Sequence, residues 1–395
     1  MKKIRACMVW HDLNSSNYGV SALAISHLDM VVKAANENNT PIEIDFLGYP
    51  ERPGSNVRQS LEKRYGIQIN HIALSLKGFL KDFLSFKLGW QFTRNKYDYV
   101  LDIGGGDSFA DIYGFKPFFF IVITKYLAIK SGSKLILSPQ TIGPFKGTFT
   151  QKIAKYLMNK SEAIFVRDFK STKYLQSIEV EAEEVSDVAF MLPYEKQPLI
   201  EGAVGINVSG LLWHGGYNRK NQFGLSIDYQ VFVKAIIDGL LERGKQVHLI
   251  GHVIDDNFEV EDDYRVLLEL KKCYQENSNL VVAPKFNSAI EAKSYISQLE
   301  FFTGSRMHAT IGAVSAGVVT IPIAYSRKFS GVFGSIGYQH TLDAFGGSST
   351  EEFIAMFFDL YDNQYESMQE DVQTARNNAI EQLGSYLDYL RVILK

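Results

Sequence analysis

Short apolar runs alternate with longer stretches of helical periodicity along most of the chain. That is the pattern of parallel sheets covered by helices on both faces. In the first half, Lys3–Val9, Ile42–Gly48, Asp98–Ile103, Lys134–Ser138 and Ala163–Val166 read as strands. Helices are expected near Gly19–Ala35, Gly78–Arg94, Lys116–Lys130, Gly147–Asn159 and Ser171–Gln176. Met191–Ala203 carries two prolines, mixed charge and weak periodicity, and reads as an interdomain linker. A fresh series begins at Val204–Val208 and continues with strands at Gln246–Ile250, Leu280–Val282, Leu299–Phe302 and Val318–Ala324. Helices fall between them, near Tyr229–Glu242, Tyr264–Gln275 and Ser288–Gln298, and the amphipathic tail Thr350–Lys395 divides into two more. The expected fold is α/β, with two Rossmann-like domains facing a cleft. They cover residues 1–193 and 204–365, and a final helix over 366–395 crosses back onto the first.

Composition narrows this picture without redirecting it. At 395 residues, with 46% hydrophobic and 22% charged positions, the chain has material for two cores. A net charge of −3 and the lack of a basic block give no reason to expect a nucleic-acid partner. Cys7 and Cys273 lie too far apart in sequence for a disulfide framework, which fits a reducing cytosol. The start, MKKIRACMVW, has no apolar stretch long enough for a signal peptide and reads as a strand. Pro117–Thr124 is too short to span a bilayer. It reads as part of a buried crossover helix, although the greasy run Phe115–Phe120 leaves peripheral contact with a membrane surface open. The expected location is therefore the cytoplasm, extending to the inner face of the membrane.

Candidate chemistry collects where strands end. Phe301–Gly337 is the most telling stretch. A buried strand runs into Thr303-Gly304-Ser305, and a small-residue helix follows from Met307 to Ala316. Arg306 and His308 thus sit at a helix amino end, where free N–H groups and the helix dipole favour anions. The next strand delivers Arg327 and Lys328 to a similar edge. An Arg fork, a Lys point charge and a His able to carry a proton suit a small anionic substrate. The rival reading is a core histidine with two surface cations.

Other strand ends carry weaker signals. Gly104-Gly105-Gly106-Asp107 follows a strand and lets backbone N–H groups approach a ligand, or is simply a turn. Gln140, in the ordered loop Ser138–Phe145, can exchange hydrogen bonds with sugar hydroxyls. Arg167 ends another strand beside Asp168, as an anion contact or a surface pair. His252 ends a strand shortly before Asp255, Asp256 and Asn257, but the spacing lacks a metal-ligand cluster, so a polar cleft contact is expected. Ser209–Tyr217 brings Trp213, His214 and Tyr217 onto one loop, suited to a sugar, a lid or plain packing.

Taken in order, these segments resemble the polysaccharide pyruvyl transferase family. The resemblance runs from the Asn17-Tyr18-Gly19 loop to about Gly337. It rests on GGGD at 104–107, PQTIGPF at 139–145, RD at 167–168, DVAF at 187–190, GINVSG at 205–210, GSRMHA at 304–309 and AYSRKF at 324–329. It departs where Val20 follows Gly19 in place of the usual Asp, and where Val319 replaces the usual Pro. The resemblance implies the GT-B arrangement, phosphoenolpyruvate as donor, and transfer of its pyruvyl group as a cyclic ketal onto two hydroxyls of a sugar or lipid-linked saccharide. It further implies His308 as acid/base. It implies Arg306 and Arg167 as contacts of phosphoenolpyruvate; from their own places along the chain, Lys328, His252 and Ser305 are expected beside them, and Gly104–Asp107, Gln140 and Asn17 are expected to face the acceptor. No metal or other cofactor is expected. A GT-B glycosyltransferase using a nucleotide sugar is the rival enzyme, although no acidic residue for a ribose follows the GSRMH strand. A non-catalytic glycan-binding relative is the rival of another class, for which an anion site would have no use.

Overall fold

The computed structural model describes residues 3–49, 51, 55–74, 97–106, 109–112 and 114–395. The helix expected at Gly78–Arg94 and the candidate Asp107 lie outside the described residues. The chain divides into two compact units. Unit 1 comprises Met1–Ser15, Leu23–Val188 and Ala379–Lys395, and unit 2 comprises Ser16–Ala22 and Ala189–Asn378.

Unit 1 is a seven-stranded parallel sheet of β1 (Ile4–Val9), β2 (Ile42–Gly48), β3 (Ile69–Ala73), β4 (Tyr99–Asp102), β5 (Lys134–Gln140), β6 (Ala163–Val166) and β7 (Glu183–Glu184). Its spatial order is β3-β2-β1-β4-β5-β6-β7. The central strands are apolar on both faces, as a sheet covered by helices requires. The covering helices include α1 (Tyr18–Glu37), α2 (Val57–Tyr65), α3 (Phe115–Lys130), α4 (Thr148–Met158) and α5 (Phe169–Ser177). Sequence pattern misses α2, β3 and β7. The edge strand β3 is mostly not buried, and β7 is two exposed glutamates, so neither carries a hydrophobic signal.

Unit 2 repeats the topology. Strands β8 (Ala203–Asn207), β9 (Gln246–Ile250), β10 (Leu280–Val282), β11 (Phe301–Gly304), β12 (Val319–Ala324) and β13 (Leu342–Asp343) are ordered β10-β9-β8-β11-β12-β13. Its helices are α6 (Gly210–Trp213), α7 (Tyr229–Glu242), α8 (Asp263–Cys273), α9 (Ala289–Ile296), α10 (Met307–Ala316), α11 (Arg327–Ser335) and α12 (Thr350–Asn363). The small residues of α10 let it lie against the sheet, and it stops at Gly317, whose φ of 82° suits a residue without Cβ. The last helix, α13 (Tyr365–Ile393), ends in unit 1, where Tyr386 and Leu390 are fully buried. Among the described residues no helix is long and apolar enough to cross a membrane.

Both sheets are doubly wound. In such sheets, ligands bind beyond the carboxyl ends of the strands where the winding reverses. That point lies at β1/β4 in unit 1 and at β8/β11 in unit 2.

Candidate functional site

At the reversal point of unit 2, Arg306 is the N-cap of α10, and its backbone N–H donates to Asn207 Oδ1 at 2.9 Å. Its guanidinium is almost buried and already engaged. Nη2 donates to Asp263 Oδ1 at 2.7 Å and to the Glu261 carbonyl at 2.9 Å, while Nε reaches both Asp263 oxygens at 3.2 and 3.3 Å. Nη1 carries none of these bonds. The same carboxylate accepts backbone N–H groups from Gly210 at 2.8 Å, His252 at 3.0 Å and Val253 at 2.9 Å. Asp263 therefore ties together the loops that follow β8, β9 and β11. Sequence reasoning missed it. The one signal was the Asp262-Asp263 pair at the start of an amphipathic helix, which reads as ordinary capping.

His308 occupies the first turn of α10, packed against the first turn of α1. A Cβ built on Gly19 would stand 2.5 Å from His308 Nδ1 and 2.7 Å from its Cβ and Cγ, so Gly19 is required for the ring to lie where it does. Asn17 prepares this contact. Its Oδ1 accepts the Gly19 N–H at 2.9 Å, and its backbone bridges to Val253. Asn17 is thus grouped with the residues of unit 2. Tyr18 N donates to the His252 carbonyl at 3.0 Å, and the two rings meet edge to face.

His252 is 5% exposed, and neither ring nitrogen has a hydrogen-bond partner among the described residues. Burial, with His308 and Arg306 nearby, pushes its pKa down to about 3. It is neutral at ordinary pH, able to exchange a hydrogen bond but not to pair an anion as a cation. His252 and His308 line a cavity of ≈ 10 Å³ with Lys293, Leu192, Ile296 and Gly312. Lys293, also missed from sequence, donates to the Leu192 carbonyl at 2.9 Å and faces the Tyr194 ring. Burial lowers its pKa to about 7.

Lys328 lies in the first turn of α11, after the strand next to β11. Among the described residues neither α10 nor α11 has a side-chain cap hydrogen bond at its N-cap, so the positive end of each helix dipole is not met by a capping side chain. Ser305 differs from expectation. It is 1% exposed and its hydroxyl is bonded to Tyr229 Oη at 2.9 Å, so it stabilises the core beneath the edge and faces no ligand.

The corresponding edge of unit 1 corrects two further expectations. Gln140 is fully buried. Its Nε2 donates to the carbonyls of Asp102 at 2.6 Å and Ser138 at 3.1 Å, so it supports the glycine turn from below and does not meet a sugar. Arg167 is 1% exposed, with Nη1 on Asp187 Oδ2 at 2.6 Å and Nε on Thr141 Oγ1 at 3.1 Å. It is thus a buried cation paired inside unit 1, as Arg306 is in unit 2, and not the exposed surface pair that the sequence also allowed. The turn Gly104–Gly106 has positive φ throughout (55°, 60° and 96°). A Cβ at Gly104 would strike Gln140 Oε1, and one at Gly106 would come within 2.6 Å of Leu23 Cδ1. Two of the glycines are thus explained by packing, while Gly105 alone of the three is partly exposed.

Among the described residues no three His, Cys, Asp or Glu side chains converge as a metal-binding group. What unit 2 does assemble is a neutral histidine, a second histidine on a helix start, an Arg held by a carboxylate, and a Lys on the neighbouring helix start. Such an edge can hold a small anion and move a proton beside it.

The comparisons with known proteins bear on the family and on the fold. A family model described as polysaccharide pyruvyl transferase matches residues 17–327. None of the curated proteins compared matches the chain. Among solved structures, the chain is similar to a UDP-GlcNAc 2-epimerase from Neisseria meningitidis bound to UDP-GlcNAc, with TM-score 0.58 and 11% identity over 97% of this chain and 100% of that one. It is also similar to the UDP-GlcNAc 2-epimerase from Methanocaldococcus jannaschii, with TM-score 0.57 and 11% identity over 90% and 92%. A sucrose-phosphate synthase from Thermosynechococcus elongatus gives TM-score 0.57 and 9% identity over 98% and 97%. At such identities the likeness concerns the fold, which is the α/β GT-B class.

Proposed function

The chain belongs to the polysaccharide pyruvyl transferase family, and on that premise we propose that it transfers the pyruvyl group of phosphoenolpyruvate onto two hydroxyls of a saccharide. A cyclic ketal forms and phosphate is released. The observation that carries this reading is the meeting of His308, Arg306 and two helix amino ends at the reversal point of unit 2. Phosphoenolpyruvate carries a phosphate and a carboxylate, and both suit helix-end N–H groups and Lys328. Arg306, fixed through Nε and Nη2 by Asp263, offers its remaining Nη1 edge.

The chemistry then needs one proton donor and acceptor. His308 protonates the methylene carbon of phosphoenolpyruvate, which becomes a methyl group and leaves C2 oxocarbenium-like. The first sugar hydroxyl attacks C2, and its proton returns to the imidazole, restoring it. Phosphate departs, the second hydroxyl closes the ketal, and its proton leaves with phosphate. Neutral His252 sits beside His308 as a hydrogen-bonding neighbour, and its lack of charge keeps a second cation away from the acid.

Incubation with phosphoenolpyruvate and a panel of saccharides, lipid-linked ones included, tests the reading. Phosphate release coupled to a pyruvyl mass gain on one saccharide is expected. If UDP- or GDP-sugars protect against heat and phosphoenolpyruvate does not, and no phosphate is released, the nucleotide-sugar reading replaces this one.

A further inference from the structure

Unit 1 carries a second surface that the reaction does not use. Between Asp111 and Glu162 the chain contains eight lysines and no Asp or Glu. The two helices in this stretch expose large apolar side chains at their starts. Phe115 is 63% exposed, Phe119 39% and Ile112 44% at α3, and Phe149 is 66% exposed at α4. Phe115 and Phe119 stack on one another with ring centroids 6.4 Å apart. Asp111 joins the two starts, because its carboxylate accepts from the backbone of Lys146 and Gly147 at 2.9 Å and from Thr150 Oγ1 at 2.6 Å. The exposed rings at both starts therefore border one surface. That use also consumes the one acidic group in the region.

The lysines on this surface are not neutralised. Lys125 is buried with Asp102, and Lys134 and Lys155 pair with Glu162 and Glu179. Lys116 follows Phe115, Lys146 precedes α4, and Lys152 is one turn from Phe149; all three are exposed, and none has an ion-pair partner among the described residues. Exposed aromatic side chains ringed by cations, in a chain whose net charge is −3, are concentrated here against the overall balance. The combination matches an anionic bilayer, where rings enter the headgroup boundary and lysines meet lipid phosphates. A second copy of the chain fits less well, since a symmetric pairing would oppose lysine to lysine.

We propose that the start of α3 and the start of α4, with Phe115 and Phe149 as anchors and Lys116, Lys146 and Lys152 as the cationic rim, dock the protein on an anionic membrane surface. The inference is independent of the reaction assigned to unit 2.

The test is flotation of the full chain with vesicles of phosphatidylglycerol and phosphatidylcholine, and with phosphatidylcholine alone, at low and high salt. Binding to the anionic vesicles that weakens with salt is expected. The triple variant Lys116→Glu, Lys146→Glu, Lys152→Glu should lower partitioning by at least about a hundredfold, at about fivefold for each lysine lost. Phe115→Ser with Phe149→Ser should abolish flotation, while both variants keep the wild-type circular dichroism and melting temperature. In Phe149→Trp, quenching of the new indole by brominated lipid should report insertion. Equal flotation of wild type and variants, or no preference for anionic vesicles, would overturn the proposal. So would concentration-dependent dimerisation that the double serine variant removes, which would assign the surface to a second copy.

Discussion

The carboxyl edges of the two sheets are built alike and finished differently. Each holds a buried Arg–Asp pair just after a strand, Arg167–Asp187 in unit 1 and Arg306–Asp263 in unit 2. In unit 1 the charged groups close on one another, Lys125 on Asp102 at 2.8 Å and Arg167 on Asp187 and Thr141, and Gln140 donates to two carbonyls although its own Oε1 has no partner among the described residues. In unit 2 the pair instead leaves a residue. Among the described residues both ring nitrogens of His252 lack partners, and the starts of α10 and α11 have no side-chain cap. A buried polar network that satisfies itself fixes a backbone, whereas one that stops short is arranged for something that arrives. On the proposed function the unit 1 edge is a support and the unit 2 edge the site, although both carry arginines of the same kind in sequence.

The largest effects should come from breaking either pair. Asp187→Ala and Asp263→Ala each strand a buried guanidinium and should cost about 3–5 kcal/mol, read by chemical denaturation. Apolar replacement of both partners should restore stability in either unit. Turnover of phosphoenolpyruvate should survive Arg167→Met with Asp187→Leu and be lost in Arg306→Met with Asp263→Leu, and equal behaviour of the two double variants would erase the contrast. Next comes Gly19→Ala, whose new methyl displaces His308. It should lower kcat about a hundredfold, as expected for a shift of about 1 Å in a catalytic group, with a melting temperature that falls only modestly.

A smaller effect concerns pH. Burial pushes both His252 in unit 2 and His11 in unit 1 down to about 3, from an ordinary 6.5. Above pH 6.5 both folded and unfolded chains hold these rings neutral, and they add no pH dependence. From 6.5 down to about 3 the unfolded chain binds protons that the folded one refuses, so each ring removes about 1.4 kcal/mol of stability per pH unit. Below about 3 the loss levels off. His252→Asn should flatten the curve by one proton in that window, measured by denaturation at several pH values. Last, Lys328→Met should raise KM for phosphoenolpyruvate about tenfold with kcat little changed, the signature of a charge that binds substrate and transition state alike.

Much of this was legible in the chain because alternation of apolar runs and helices is a bulk signal. The apolar runs at β1, β5 and β12 each fill a sheet covered on both faces. The division of the tail into two helices was readable for the same reason, and the break falls at Gln364. The edge strands were not, since two exposed glutamates at β7 look like any loop. The placement of Arg306 and His308 between a strand end and a helix start was legible, since it follows from the strand and helix pattern alone. What escaped was the partner of each charge. Nothing in sequence tells that Gln140 turns inward to the Asp102 carbonyl, or that Asp263, 43 residues away, holds Arg306. Long-range pairing of buried charges depends on the fold being closed, so a strand-end arginine reads the same whether it supports or binds.

The most direct measurement is the turnover of His308→Ala and His308→Gln, with phosphoenolpyruvate and the accepted saccharide, beside wild type of equal melting temperature. Loss of the general acid and base should lower kcat by about a hundredfold to ten-thousandfold in both variants, with KM for phosphoenolpyruvate less affected. Turnover within about threefold of wild type in a correctly folded variant would contradict the account, since the unit 2 edge would then bind the donor without performing its proton transfers.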